Sequence, residues 1–181
     1  MPQKTYRIVY TGIFAVILMI CSWISIPSVI PFTLQTFGIF LTVFCLGGKQ
    51  GTYTILIYLL LGCLGIPAFS NFGAGPGYLF GNTGGYMLGF LLIGLVSWIF
   101  ETLFGKHQAV QIIAILIGTI LCYLFGTFWF VHLSSASDRN SPWIAALTIC
   151  VFPFILPDLF KLSFAYVLSK RIRPFLAIFT H

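Results

Sequence analysis

From residue 110 to residue 131 no side chain carries a charge. That run constrains the fold more than any other feature, because about 20 apolar residues in a helix cross the hydrocarbon core of a bilayer. Comparable runs recur along the chain, and they predict six transmembrane helices: 8–24, 34–46, 52–64, 85–104, 110–131 and one within 143–168. The second and third are short, stopped by Gly47-Gly48-Lys49 and by Gly65-Ile66-Pro67. Composition supports lipid as the solvent. Only 7% of the 181 residues are charged and 59% are hydrophobic, where a soluble domain carries roughly 25% charged residues. No polar linker divides the chain, so residues 1–181 are expected to form a single all-α membrane domain, a compact helical bundle.

The formal net charge of +6 does not mark a nucleic-acid surface. The basic residues sit at the ends of apolar runs, where membrane topology places them. With both termini on one side, Lys4, Arg7, Lys49, Lys106, Lys170, Arg171 and Arg173 share that side, and only Arg139 falls opposite. Positive-inside asymmetry then predicts cytoplasmic termini in a bacterial cytoplasmic membrane, with outer loops at 27–33, 66–83 and 133–142. The first apolar run is longer than the core of a usual signal peptide and no A-x-A-like cleavage site follows, so it is expected to be retained.

Several function classes lose support. Cys21, Cys45, Cys63, Cys122 and Cys150 lie in apolar runs without metal-ligand spacing and read as small hydrophobes. His107, His132 and His181 share no metal spacing. There is no phosphate-binding G-x-x-x-x-G-K-[ST] motif, no paired carboxylates for acid–base catalysis and no G-x-S-x-G nucleophile setting. The expectation is a non-enzyme with no metal and no cofactor.

The outer loops are unusual. The first holds Pro27 and Pro31, followed by Thr33 and Gln35. The second, "IPAFSNFGAGPGYLFGNTGGY", is rich in glycine and almost uncharged. Irregular backbone at membrane depth is tolerated only where it is buried in protein or lines a cavity, so both loops predict an outward-facing cavity beneath them. The segment 143–170 would reach about 40 Å as a helix against a core of about 30 Å. Pro153 and Pro157 are expected to break it, with the last helix starting near Pro157 and Asp158 in its first turn.

Asp158 and Lys161 lie three apart on one helix face. Each charge alone costs about 2.5–3.5 kcal/mol at a bilayer centre. One reading is a structural ion pair stitching the last helix to a neighbour. The other is a polar spot facing the cavity, joined by Asn82, Thr83, Tyr86, Thr33 and Gln35 at the same level. Asn82 alone also reads as a helix N-cap, and Tyr86 as an interfacial aromatic.

At this point "PFTLQT", "GNTGGY" and "PFILPDLFK", in that order along nearly the whole chain, resemble the BioY family, the biotin-binding S components of energy-coupling factor (ECF) transporters. The resemblance implies six transmembrane helices around a vitamin pocket lidded by loops. It implies biotin as ligand, with Asn82, Asp158 and Lys161 at its ring system and Thr33, Gln35 and Tyr86 as further contacts. It also implies a transmembrane T component and two cytoplasmic ATPase subunits as partners. Small residues of the first helix, here Thr11, Gly12 and Ala15, would meet the T component by close helix approach; an ordinary small-residue stretch inside the bundle is the other reading. Two alternatives remain open: an S component for another vitamin or a biotin precursor such as dethiobiotin, and an intramembrane enzyme.

Overall fold

The structure is a computed structural model that describes residues 3–26, 32–134, 147–148 and 151–178. Among these are seven helices, α1 (Gln3–Trp23), α2 (Gln35–Leu46), α3 (Gly48–Cys63), α4 (Pro76–Leu79), α5 (Gly84–Phe104), α6 (Gln108–Ser134) and α7 (Phe152–Ile178). A two-residue antiparallel pairing joins β1 (Ser25–Ile26) to β2 (Phe32–Thr33), and a 3₁₀ turn covers Ser70–Phe72.

Among the described residues four helices are long and apolar enough to cross a membrane: Thr5–Trp23, Gly84–Phe104, Gln108–Leu133 and Phe152–Leu176. The chain is therefore a multi-pass membrane protein. α2 and α3, with 12 and 16 residues, reach only about 18 and 24 Å, short of the core of about 30 Å. The outer surface matches a lipid solvent. Ile8, Leu60, Ile120, Phe128, Phe160 and Phe164 are large, apolar and exposed, and such surface is stable only where water is absent.

The α2–α3 junction differs from expectation. The glycines at 47 and 48 do not make a loop ahead of residue 52. α3 begins at Gly48, and Gly47 alone, at φ 82 and ψ 166, reverses the chain. That backbone region is essentially glycine's own. Gln35 bonds Tyr58 at 2.7 Å, and both residues are nearly equidistant from Gly47, so α2 and α3 run antiparallel. Gly48 is equally constrained, since a Cβ there would lie 2.3 Å from the Trp98 backbone nitrogen.

α5 and α6 form the most extensive helix pair, and small residues make it. A Cβ on Gly118 would sit 2.7 Å from Ile93 Cα, and one on Gly89 would sit 2.7 Å from Cys122 Sγ. Without an apolar drive between helices in lipid, such close backbone approach supplies the packing energy.

α7 also departs from expectation. It starts at Phe152, so Pro157 lies inside the helix rather than at its first position. Pro153 falls in the first turn, where backbone N–H groups lack helical partners anyway. Pro157 then costs one further bond, to the Pro153 carbonyl, and its fixed φ is compatible with continuing the helix. Asp158 consequently sits in the second turn, beyond most of the helix dipole's influence.

The N-terminus of α1 and the C-terminus of α7 lie side by side, with Tyr10 Oη donating to the Leu176 carbonyl at 3.4 Å. Asp158 is about 27 Å along α7 from that point, near the opposite end of the bundle.

Candidate functional site

A partly open cavity of about 70 Å³ lies beside Asp158 and Lys161. At about 10–15 Å³ for one water by this measure, the space holds several waters or one small headpiece. Six parts of the chain build it: β2, α2, the 66–83 segment, α5, α6 and α7.

The polar wall centres on the ion pair. Lys161 Nζ lies 2.8 Å from Asp158 Oδ1, and the two residues are only 8% and 4% exposed. Burial this deep is tolerable only with further hydrogen bonds, and the structure supplies them. Thr36 Oγ1 donates to Asp158 Oδ1 at 2.8 Å. Tyr123 Oη donates to Asp158 Oδ2 at 2.5 Å. Lys161 Nζ donates to the Thr33 carbonyl at 2.8 Å and to Thr36 Oγ1 at 3.0 Å, and it lies 4.4 Å above the centre of the Phe32 ring, a favourable cation–π position. Among the described residues, every buried side-chain nitrogen and oxygen has a hydrogen-bond partner.

Counting capacity shows what a guest would meet. A carboxylate has about four acceptor positions, and Asp158 uses three, so one remains for an incoming N–H. An ammonium has three donors, and Lys161 uses all of them. Lys161 can therefore donate to a ligand only by releasing Thr33, Thr36 or Asp158. Met87, Phe90, Ile93 and Phe154 supply the apolar side.

The 66–83 segment closes one end. Ala68 and Phe69 are fully buried. The Ala68 carbonyl accepts from Tyr58 Oη at 3.1 Å and from Ser22 Oγ at 2.6 Å. Phe69 stacks on Tyr78 at 5.4 Å between ring centroids and leaves no room for a Cβ on Gly62. Ser70 and Tyr78, which share a hydrogen bond, reach the cavity. The segment is thus anchored at residues 68–70 and at Leu79, while Phe72 and Phe80 stay exposed.

Of the residues singled out from sequence, Asp158, Lys161, Thr33, Gln35 and Tyr86 all line this cavity. Tyr86 Oη lies 3.0 Å from Thr127 Oγ1. Asn82 does not line it. A turn closed by Gly84 N–H to the Gly81 carbonyl at 3.0 Å leaves Asn82 exposed at its tip, and Thr83 lines the cavity instead. Thr83, not Asn82, is also the N-cap of α5, and it makes no side-chain cap bond. Two residues were missed, Thr36 and Tyr123. Thr36 stood inside the "PFTLQT" motif. Tyr123 lies in the uncharged 110–131 run, and a hydroxyl-bearing ring at the middle of a span was the available signal.

The small residues of α1 separate. Thr11 and Gly12 line a second groove, at the termini end of the bundle, and a Cβ on Gly12 would meet nothing within 4 Å. Ala15 is buried at 2% exposure, so its face turns into the bundle and is not available to an outside partner. Among the described residues, no group of three or more His, Cys, Asp or Glu side chains could hold a metal ion.

Comparison with known proteins agrees with this architecture. The sequence pattern of the BioY family matches residues 1–178. The biotin transporter BioY of Thermotoga maritima is 35% identical over 92% of this chain and 95% of its own length. Biotin transporter BioY2 of Lactococcus lactis is 34% identical over 87% of this chain and 85% of its own. A crystal structure of the S component for biotin from an ECF-type ABC transporter superposes with a TM-score of 0.81 at 24% identity, covering 96% of this chain and 95% of that one, which establishes the shared fold. With its whole described length matched by one family pattern and its helices arranged as in that solved S component, the chain belongs to the BioY family.

Proposed function

We propose that this protein binds biotin and takes it up across the cytoplasmic membrane as the substrate-binding component of an ECF-type transporter. The observation that carries the proposal is the Asp158–Lys161 pair, buried yet lining a partly open cavity, with one acceptor position still open. A ureido group offers two N–H donors and one carbonyl acceptor. Asp158 accepts one N–H, and Lys161 gives its Thr33 or Thr36 bond to the carbonyl. Gln35, Tyr86 and Thr33 frame the headpiece, and the Met87, Phe90 and Phe154 side suits the ring and valeryl chain.

Six crossings complete the topology in this proposal, with α2 and α3 as two short spans ended by packed irregular segments. The clustering of basic residues at the termini end supports cytoplasmic termini, and with them a cavity that opens outward. No nucleotide-binding motif is present in the sequence, so energised uptake needs the T component and two ATPase subunits that the family resemblance implies. Thr11 and Gly12, open on the α1 surface, are the candidate contacts.

Calorimetry on the purified protein tests the ligand. Biotin should bind tightly to the wild type and far more weakly to Asp158→Asn, with both proteins equally folded. Equal affinities would overturn the site. Competition with dethiobiotin, read by native mass spectrometry, separates biotin from a precursor sharing its ureido group.

A further inference from the structure

We propose that the groove at the termini end of the bundle binds one anionic phospholipid, its phosphate held among Arg7, Lys49 and Lys106 and an acyl chain lying along α3. The groove encloses about 610 Å³ between α1, the α2–α3 junction and the end of α5. It is separate from the Asp158 cavity and shares no residue with it; Thr11 and Gly12 also line it, so the lipid occupies this face in the protein free of a T component.

Charge comes first. Three cations converge from three elements: Arg7 on α1, Lys49 in the first turn of α3, and Lys106 just past α5. The groove's carboxylate, Glu101, is already engaged. Its Oε2 accepts from Gly48 N–H at 2.8 Å and its Oε1 from Gln111 Nε2 at 2.7 Å. Among the described residues the one ion pair joins Asp158 and Lys161, so none of the three cations has a carboxylate within ion-pair distance. Cations outnumber carboxylates here at a membrane surface, and such a site attracts anionic headgroups.

Depth and shape favour a lipid over a free anion. Lys49 lies 5.5 Å over the Trp98 ring, and tryptophan characteristically marks headgroup level. Below the cations the wall turns apolar with Ile8, Tyr53 and Ile57. Tyr53 and Ile57 are 46% and 38% exposed, and Leu60, one turn further along α3, is 52% exposed. This apolar lane leads from the phosphate position toward the bilayer centre, where an acyl chain would follow it. A soluble phosphate would use the cations and none of the lane.

The test uses the full-length protein reconstituted in equal parts of phosphatidylethanolamine and phosphatidylglycerol, then released for native mass spectrometry. The wild type should retain one phosphatidylglycerol after phosphatidylethanolamine has been stripped. Retention should fall about fivefold for each cation removed in Arg7→Gln, Lys49→Gln and Lys106→Gln, singly and combined, with thermal unfolding midpoints unchanged. If the triple variant fails to fold, the single variants carry the same readout. Equal retention of both lipids, unchanged retention in the variants, displacement by inorganic phosphate, or a bound polypeptide in place of lipid would each overturn the proposal. Biotin affinity plays no part in the readout, so this test stands or falls independently of the ligand assignment.

Discussion

Asp158 receives three hydrogen bonds before any ligand arrives: from Lys161, Thr36 and Tyr123. Asp158→Asn replaces the charged acceptor offered to an incoming N–H, and a hydrogen bond to a charged group is worth about 1.5–3 kcal/mol. Biotin binding should therefore weaken about ten- to a hundredfold, read by calorimetry below the unfolding midpoint of either protein, since leaving Lys161 without its carboxylate also costs fold stability. Tyr123→Phe removes a bond that orients the Asp158 carboxylate, worth about 1.5–3 kcal/mol to the fold. It should lower the thermal unfolding midpoint and weaken binding less than Asp158→Asn does, because the charged acceptor for the ligand remains. Asn82→Ala should change affinity far less than either, because Asn82 is exposed and stands outside the cavity wall. A loss comparable to that of Asp158→Asn would show that the 66–83 segment brings Asn82 inward when ligand binds.

At the scale of elements, two glycine positions carry the architecture. Gly47 holds a φ of 82 and ψ of 166, and Gly47→Ala should destabilise the α2–α3 hairpin by about 1–3 kcal/mol, seen as a lower thermal unfolding midpoint. Gly118 faces Ile93 Cα across the α5–α6 pair. Backbone cannot yield as a flexible side chain can, so Gly118→Val should cost about 3 kcal/mol or more. It should also weaken ligand binding, because α6 carries Tyr123 and α5 carries Tyr86 and Phe90. α7 shows a different balance. Its Pro157 loses one backbone bond, yet the helix continues, and that continuity puts Asp158 one turn deeper, within reach of Thr36 and Tyr123.

For the whole molecule, the two ends of the bundle differ in kind. One end carries the Asp158 cavity, bordered by the 66–83 segment. The other gathers both termini and most of the basic residues. Reporter fusions at either terminus should report the cytoplasm, and an extracellular result would invert the direction in which the cavity opens. In vesicles containing this protein alone, ATP should not accelerate biotin entry. Adding the T component and ATPase subunits should, and uptake driven by ATP without them would remove the need for partners.

The membrane class, the approximate helix positions, the family, and the pairing of Asp158 with Lys161 were legible in the order of residues, because hydropathy runs, i,i+3 spacing and linear motifs are local properties of a chain. The start of α7 was not. Local rules place Pro157 at a helix start, and only packing of α7 against α2 makes a proline inside the helix tolerable. Tyr123, 35 residues from Asp158, could be joined to it only by folding. The exposure of Asn82 and the burial of Ala15 were decided in the same way, because the direction in which a side chain points depends on what its helix or turn meets across space.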